Sequence, residues 1–414
     1  MINAIRGFND ILPEETGLWR FIEEEAFRVF STYGFSEIRI PVVEKTELFS
    51  RSIGETTDIV EKEMYTFADR RGDSLTLRPE GTAPVVRAYI EHKLYSTPVQ
   101  KLCYSGPMFR YERPQKGRYR QFYQIGAEVL GEGSPRADAE VVEMLMRFFE
   151  GLGLKGIELQ MNSLGCSTCR PEYKERLYGF LKGIINDLCA NCTRRMEANP
   201  LRALDCKNPG CVEATSRAPS IIEALCTECK VHFEDVMAHL ATLAIKTTVN
   251  PRMVRGLDYY TKTTFEITAE GLGSQNAVAA GGRYDSLVEE FGGPETPCLG
   301  FAVGVERVAL VLKGAEVFRE KPLSVFIPLG AEAEKRGVEI IRDLRSRGAR
   351  VIEDFSTGAL KKRMKRADRL KARFAIILGE DEIRDKVVTV KDMATAHQET
   401  VSWDSVYDRI SIEA

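Results

Sequence analysis

The sequence predicts a multidomain α/β protein, and three observations carry that expectation. A chain of 414 residues has room for two or three domains. Apolar residues at 43% and charged residues at 29% are the proportions of a globular chain with a core to bury. The texture also changes along the chain. Mixed helices and strands give way to a helical, cysteine-rich stretch over 166–245, and strands alternating with helices close the sequence from residue 322.

The elements follow in order. Leu18, Ile22, Ala26 and Val29 recur at helical spacing and predict a helix over 16–32, ended by Gly34. Phe35–Ile40 alternates as a strand before Pro41. Leu75–Arg78 reads as a short strand. Thr82 reads as the cap of the next helix, with Pro84 in its first turn. Arg78–Thr82 is then a polar strand-to-helix turn, a favoured place for ligand contacts. A helix over 137–150 follows the hairpin of residues 106–128. Later strands are expected at Val254–Tyr260, Thr263–Thr268 and Ala277–Ala280, with a glycine turn at Gly281–Asp285. Gly300–Gly304 is a strand feeding a helix that begins near Glu306 and Arg307. A cation in a first helical turn opposes the helix dipole, so Arg307 reads as a residue aimed at phosphate.

The last stretch predicts strands at Ser324–Leu329, Ala349–Asp354, Phe374–Leu378 and Val387–Val390, with helices over 331–347 and 359–372. That alternation indicates a compact domain on a largely parallel sheet. Its second helix carries Lys361, Lys362, Arg363, Lys365, Arg366, Arg369 and Lys371 around a stripe of Leu360, Met364, Ala367 and Leu370. Two readings stand for that face, an RNA contact and a solvated surface.

The stretch from Gly106 to Glu128 is the most informative. It reads as strand, basic loop, strand, with five cations between Arg110 and Arg120. Strand alternation puts Phe122, Gln124, Gly126 and Glu128 on one face, and Arg110 and Glu112 on one face of the preceding strand. A cleft shared by those faces holds a guanidinium for phosphate, a ring for a base, an amide and a carboxylate. Gly126 would let a ligand approach the backbone. The competing reading is a charged hairpin with a solvated loop.

Composition excludes several classes. A net charge of −3 rules out a globally basic nucleic-acid coat, so polyanion binding must come from local patches. The four histidines, His92, His232, His239 and His397, form no HExxH and lie near no nucleophile motif. No apolar run approaches the roughly 20 residues that span a bilayer. Residues 1–10 lack the apolar stretch of a secretory signal, so a cytoplasmic location is expected. Eight of the ten cysteines fall between 166 and 229, as the pairs Cys166/Cys169, Cys189/Cys192, Cys206/Cys211 and Cys226/Cys229. In a reducing compartment such pairs build either two four-thiolate structural zinc sites or small semi-buried hydrophobes. His232 extends the last pair and is a possible substitute for one thiolate.

At these motifs the chain resembles the class II aminoacyl-tRNA synthetases, and within them the histidyl-tRNA synthetase family. Helix 16–32 with the strand ending at Pro41 is similar to motif 1, the dimer element. The hairpin is similar to motif 2, and Gly300–Leu312 to motif 3. Arg255–Tyr260 (RGLDYY) and Ala280–Asp285 (AGGRYD) resemble the two histidine-specific motifs, and Arg6–Asp10 and Leu77–Thr82 match the family too. The resemblance covers nearly the whole chain. It implies a catalytic domain over 1–318, with an antiparallel sheet flanked by helices and interrupted by the 166–245 insertion. It also implies an α/β anticodon-binding domain over 322–414 and a homodimer without membrane attachment. A synthetase-like regulatory paralogue typically lacks that last domain and degrades the RGLDYY segment; both are intact here.

The resemblance also implies chemistry. L-Histidine attacks the α-phosphate of ATP, assisted by Mg²⁺, and the terminal ribose of tRNA(His) then attacks the acyl carbon. Arg110 and Arg255 are the expected catalytic cations. Arg110, Glu112, Arg118, Phe122 and Arg307 are the expected ATP contacts. Glu80, Thr82 and Gln124 would hold the α-ammonium, while Glu128 and Tyr260 would read the imidazole and Tyr284 would close the pocket. Arg113 and Gln115 would meet the tRNA acceptor end.

Overall fold

The computed structural model describes residues 2–54, 57, 59–254, 256–273, 276–313 and 321–411. The chain divides into two compact units, Met1–Val317 and Phe318–Ala414.

The first unit is built on an eight-stranded sheet. Its order is Ser36–Glu37, Gln100–Phe109, Gln121–Leu130, Cys298–Gly304, Ala277–Arg283, Thr261–Ala269, Ile157–Ser163 and Thr248–Val249. The six long strands pair antiparallel throughout, and the two short outer strands join in parallel. Alternation sorts the two faces. Ile125, Ala127 and Val129 point into the main core with Phe265, Ile267 and Phe301. The helices Pro13–Thr32, Pro135–Gly151, Thr227–Thr242 and Val305–Leu312 cover that side, contributing Phe30, Phe148, Val236 and Val308. Phe122, Tyr104, Tyr260 and Tyr284 belong to a second, aromatic cluster with Val85 and Tyr89 of the helix Thr82–Glu91. A small sheet of Val43–Lys45, Ser74–Leu77 and Tyr65–Ala68 adjoins the Arg78–Thr82 turn.

A buried ion triad pins these layers. The Arg283 guanidinium donates to both oxygens of Asp138 at 2.9 and 3.0 Å through Nε. His232 Nε2 lies 3.4 Å from the same carboxylate. Burial alone would push the Asp138 carboxyl up, but His232 and Arg283 hold it below the usual range.

The second unit is a five-stranded sheet, ordered Arg350–Glu353, Leu323–Pro328, Phe374–Leu378, Val387–Asp392 and Gln398–Ser402. No helix among the described residues is long and apolar enough to cross a membrane.

Several expectations are corrected. The strand expected over 35–40 is reduced to Ser36–Glu37, because only that pair meets a neighbouring strand. Residues 256–260 form turns rather than a strand, and Arg255 lies outside the described residues. The glycine turn at 281–285 is instead the end of the strand Ala277–Arg283. Gly281 is needed there because a Cβ would strike the Gly300 carbonyl across the sheet. The C-terminal sheet is mixed, since Val387–Asp392 pairs antiparallel and Gln398–Ser402, unforeseen, adds a further antiparallel strand. In the basic helix Leu360–Arg369, Arg363 is buried and ion-paired with Asp354 at 2.6 Å, whereas Leu370 is exposed. Arg363 therefore belongs to the packing and not to the basic face.

Candidate active site

The hairpin strands Gln100–Phe109 and Gln121–Leu130 run in register, setting Met108 against Phe122, Gly106 against Gln124 and Tyr104 against Gly126. The even-numbered residues of the second strand thus share one face of a cleft, with the loop at one end and Glu128 at the other.

Glu128 is fully buried. Its carboxylate accepts from the Tyr284 hydroxyl at 2.6 Å and from the Thr82 hydroxyl at 2.7 Å, and Tyr104 lies at 3.3 Å. Burial pushes its pKa up to about 8 against the pull of those hydroxyls. Gly300 faces it from the next strand, where a Cβ would collide with the carboxylate. Tyr260 is nearly buried, its ring 4.9 Å from that of Tyr259.

Thr82 does not cap its helix. Glu80 does, accepting from the backbone N–H of Thr82 at 2.6 Å and of Ala83 at 2.9 Å, which frees the Thr82 hydroxyl for Glu128. Burial raises the Glu80 carboxyl as well, opposed by those amides. Gln124 Oε1 is buried without a hydrogen-bond partner among the described residues, an acceptor open to a cationic ligand. Gly126 serves a purpose different from the expected one. The Tyr104 ring lies between Gly126 and Gly81, and a Cβ on either glycine would meet it. Tyr104 escaped the sequence reading, although a tyrosine in register with a glycine was its available signal.

At the loop end, the Arg110 guanidinium stacks 5.3 Å from the Phe122 ring centre, and its Nε donates to the Pro79 carbonyl at 2.9 Å. Arg118 pairs with Glu112 at 2.9 Å. Arg307 donates to the Ala277 carbonyl at 2.6 Å. Its pKa is lowered, first by burial and then by Arg118, with Arg110 adding to the effect and Glu112 and Glu266 opposing it. Three guanidiniums therefore share a partly buried cleft whose carboxylates compensate them only in part, a fit for a polyphosphate. Gln115 and Arg118 exchange backbone hydrogen bonds at 3.0 and 2.9 Å, leaving the Arg113 and Gln115 side chains exposed at the loop tip. Glu306, overlooked except as part of a motif, accepts from the Tyr123 N–H at 2.9 Å and so fixes the helix Val305–Leu312 to the hairpin.

A sequence profile described as "Histidyl-tRNA synthetase" matches residues 7–308, and one described as "Anticodon binding domain" matches residues 324–412. The chain belongs to the histidyl-tRNA synthetase family. It is 54% identical to the histidine–tRNA ligase of Syntrophotalea carbinolica over 406 residues, covering 98% of this chain and 97% of that one. It is 56% identical to the Trichlorobacter lovleyi enzyme of the same name over 401 residues, covering 97% and 96%. Among solved structures, the apo Staphylococcus aureus histidyl-tRNA synthetase matches with a TM-score of 0.79 at 38% identity, covering 99% of this chain and all of that one.

In this member of the family the eight module cysteines gather as two groups of four. Cys166, Cys169, Cys226 and Cys229 form one, and Cys189, Cys192, Cys206 and Cys211 the other, with all sulfurs of a group within 4.8 Å of one another. The Sγ–Sγ separations are 3.8 Å for Cys166–Cys169 and Cys166–Cys226, and 3.9 Å for Cys169–Cys229 and Cys189–Cys206. A tetrahedron with zinc–sulfur bonds of about 2.3 Å has edges of about 3.8 Å. Backbone N–H groups also donate to Cys169 at 3.2 Å and to Cys211 at 3.1 Å, as suits thiolates. His232 joins neither group, because Asp138 holds its ring.

Proposed function

We propose that the chain activates L-histidine with ATP to histidyl-adenylate, releasing diphosphate, and transfers the histidyl group to the terminal ribose of tRNA(His), releasing AMP. The observation that carries this reading is the buried Glu128 carboxylate, ringed by Tyr284, Thr82 and Tyr104 at the closed end of the cleft. A carboxylate and phenols matched to ring N–H groups favour imidazole, since an apolar analogue would leave them unpaired.

In this reading Glu128 and Tyr260 meet the two ring nitrogens, and Tyr284 closes the pocket. Gln124 Oε1, with Glu80 and Thr82 beside it, takes the α-ammonium. Phe122 stacks on adenine under Arg110, which grips the α-phosphate, and Arg307 holds the far phosphates with Arg118 and Glu112 near them. Arg255 is proposed to offset charge as the histidine carboxylate attacks and the α–β phosphate bond breaks. Such chemistry needs alignment and charge neutralisation rather than a nucleophilic side chain. Mg²⁺, which dehydrates reluctantly, would enter with the nucleotide phosphates and neutralise them. The exposed Arg113 and Gln115 would meet the acceptor end of tRNA.

The two four-cysteine groups are proposed to hold structural Zn²⁺, because soft thiolates at tetrahedral spacing suit that ion. A catalytic unit to about residue 318, an anticodon-reading unit from 322, a homodimer and a cytoplasmic location complete the reading. Pyrophosphate exchange against each amino acid is the test. Exchange driven by histidine alone is expected, and exchange driven by proline, glycine or threonine instead would refute the assignment.

A further inference from the structure

We infer that the cysteine module is a metal-set clamp that positions residues 252–254 and 256–262, the latter carrying the GLDYY part of the RGLDYY motif; the inference rests on the ligase and zinc readings above. Over 256–260 this segment forms bends and turns with no strand of its own. The module supplies its anchors, at every second residue. Arg252 donates to the Thr215 carbonyl at 2.6 Å and to its hydroxyl at 2.8 Å. Val254 packs into the module's own apolar cluster. The Gly256 carbonyl and the Asp258 carboxylate both accept from Arg202, at 3.0 and 3.1 Å, and Asn199 adds a bond to Asp258 at 3.3 Å. The Tyr260 carbonyl accepts from Arg170. Lys262 donates through its backbone to Gly165 at 2.9 Å and through its ammonium to Glu228 at 2.9 Å.

Those anchors are organised by the two cysteine groups. Cys169 begins the helix that carries Arg170, with Cys166 in the turn before it, and Cys226 and Cys229 open the helix that carries Glu228. The first group therefore closes a loop between positions 60 residues apart, at the point where the module leaves the sheet and returns. The second group brackets the helix Ala190–Ala198, which delivers Asn199 and Arg202. The sulfurs are part of the module's own core: its buried cluster counts Cys192 and Cys211 among its members, and Cys189 and Cys206 pack against it. A metal at those sulfurs would therefore set the geometry of the cluster. Arg202, Asn199 and Arg170 are thus positioning residues for histidine recognition, and the metal acts through them.

The test compares wild type, Cys206→Ser and Arg202→Ala by three measurements. These are zinc per chain by inductively coupled plasma mass spectrometry, hydrogen exchange of the 256–262 amides, and the KM values for histidine and ATP in pyrophosphate exchange. Wild type should carry two zinc ions, Cys206→Ser one and Arg202→Ala two. Both variants should exchange the 256–262 amides about tenfold faster or more. Both should raise the histidine KM about tenfold while leaving the ATP KM within about twofold. Wild type free of zinc would overturn the metal reading. Unchanged amide exchange and histidine KM in a one-zinc Cys206→Ser would overturn the clamp. Should Cys206→Ser fail to fold, the same unchanged pair in fully loaded Arg202→Ala would overturn it. Absence of histidine-driven exchange in wild type would refute the ligase reading instead, and the amide measurement would still decide the clamp.

Discussion

Replacing Glu128 by glutamine should make the protein more stable and less active at once. The carboxyl lies fully buried and is pushed from 4.5 to about 8, chiefly by burial. Between those limits the folded chain keeps a proton on Glu128 that the unfolded chain has released. Raising the pH therefore favours unfolding, by about 1.4 kcal/mol for each pH unit and up to about 5 kcal/mol from pH 8 upward. Glutamine carries no such penalty, and its amide still finds the Tyr284 and Thr82 hydroxyls, each able to donate or accept. The stability of Glu128→Gln relative to wild type should accordingly rise by about 2–5 kcal/mol between pH 5 and pH 8.5. Urea unfolding measures this. Trp19, stacked edge-on against Tyr123 at 5.2 Å, reports on the first unit once Trp403 is replaced by phenylalanine. Histidine-dependent exchange should fall about 10- to 100-fold in kcat/KM, the worth of a buried hydrogen bond to a charged group. Parallel pH profiles for the two proteins would refute the burial argument, and undiminished exchange would remove Glu128 from histidine recognition.

Three further outcomes are expected. Arg110→Ala should raise the ATP KM in pyrophosphate exchange at least about tenfold and leave the histidine KM nearly unchanged, because it removes a phosphate grip and the cover over Phe122. Asp138→Asn should destabilise the first unit by about 3–5 kcal/mol, measured by the same unfolding assay, because it removes the buried carboxylate that Arg283 and His232 share and leaves Arg283 only the longer pairing with Asp285. Deleting residues 322–414 should impair tRNA charging while sparing pyrophosphate exchange; equal loss of both would deny that unit a separate RNA-reading role.

Much of the site was legible because strands repeat every two residues. The shared face of Phe122, Gln124, Gly126 and Glu128 follows from alternation alone, and the register bears it out. The cysteine grouping was half legible. Pairing in sequence pointed to candidate ligands, but which pairs join, and that Asp138 keeps His232 away, depends on contacts between distant segments. The helix start shows the limit most clearly. Threonine before a helix is a good cap by propensity. Here Glu80 takes the amides because Thr82 is drawn to Glu128, 46 positions along the chain. Likewise Gly126 reads as space for a ligand until Tyr104 is seen to occupy it. Local rules failed where a buried polar group recruited a partner from another strand.

That recruitment also bears on how one hairpin would serve unlike ligands in the proposed reading. From Phe122 to Glu128 the strand advances about 20 Å, a length that accommodates a base, a sugar, a phosphate and an amino acid in line. Charge is graded along it. Arg110, Arg118 and Arg307 gather at the loop end, and Glu80 and Glu128 are buried at the other, with the open Gln124 acceptor between. In the proposed reading, a ligand with phosphates at one end and an ammonium and an imidazole at the other would fit in only one direction. Reversal would set phosphate against the buried Glu80 and Glu128 side chains and away from the three guanidiniums. In the proposed reading that grading would aim the histidine carboxylate at the α-phosphate before any chemistry occurs.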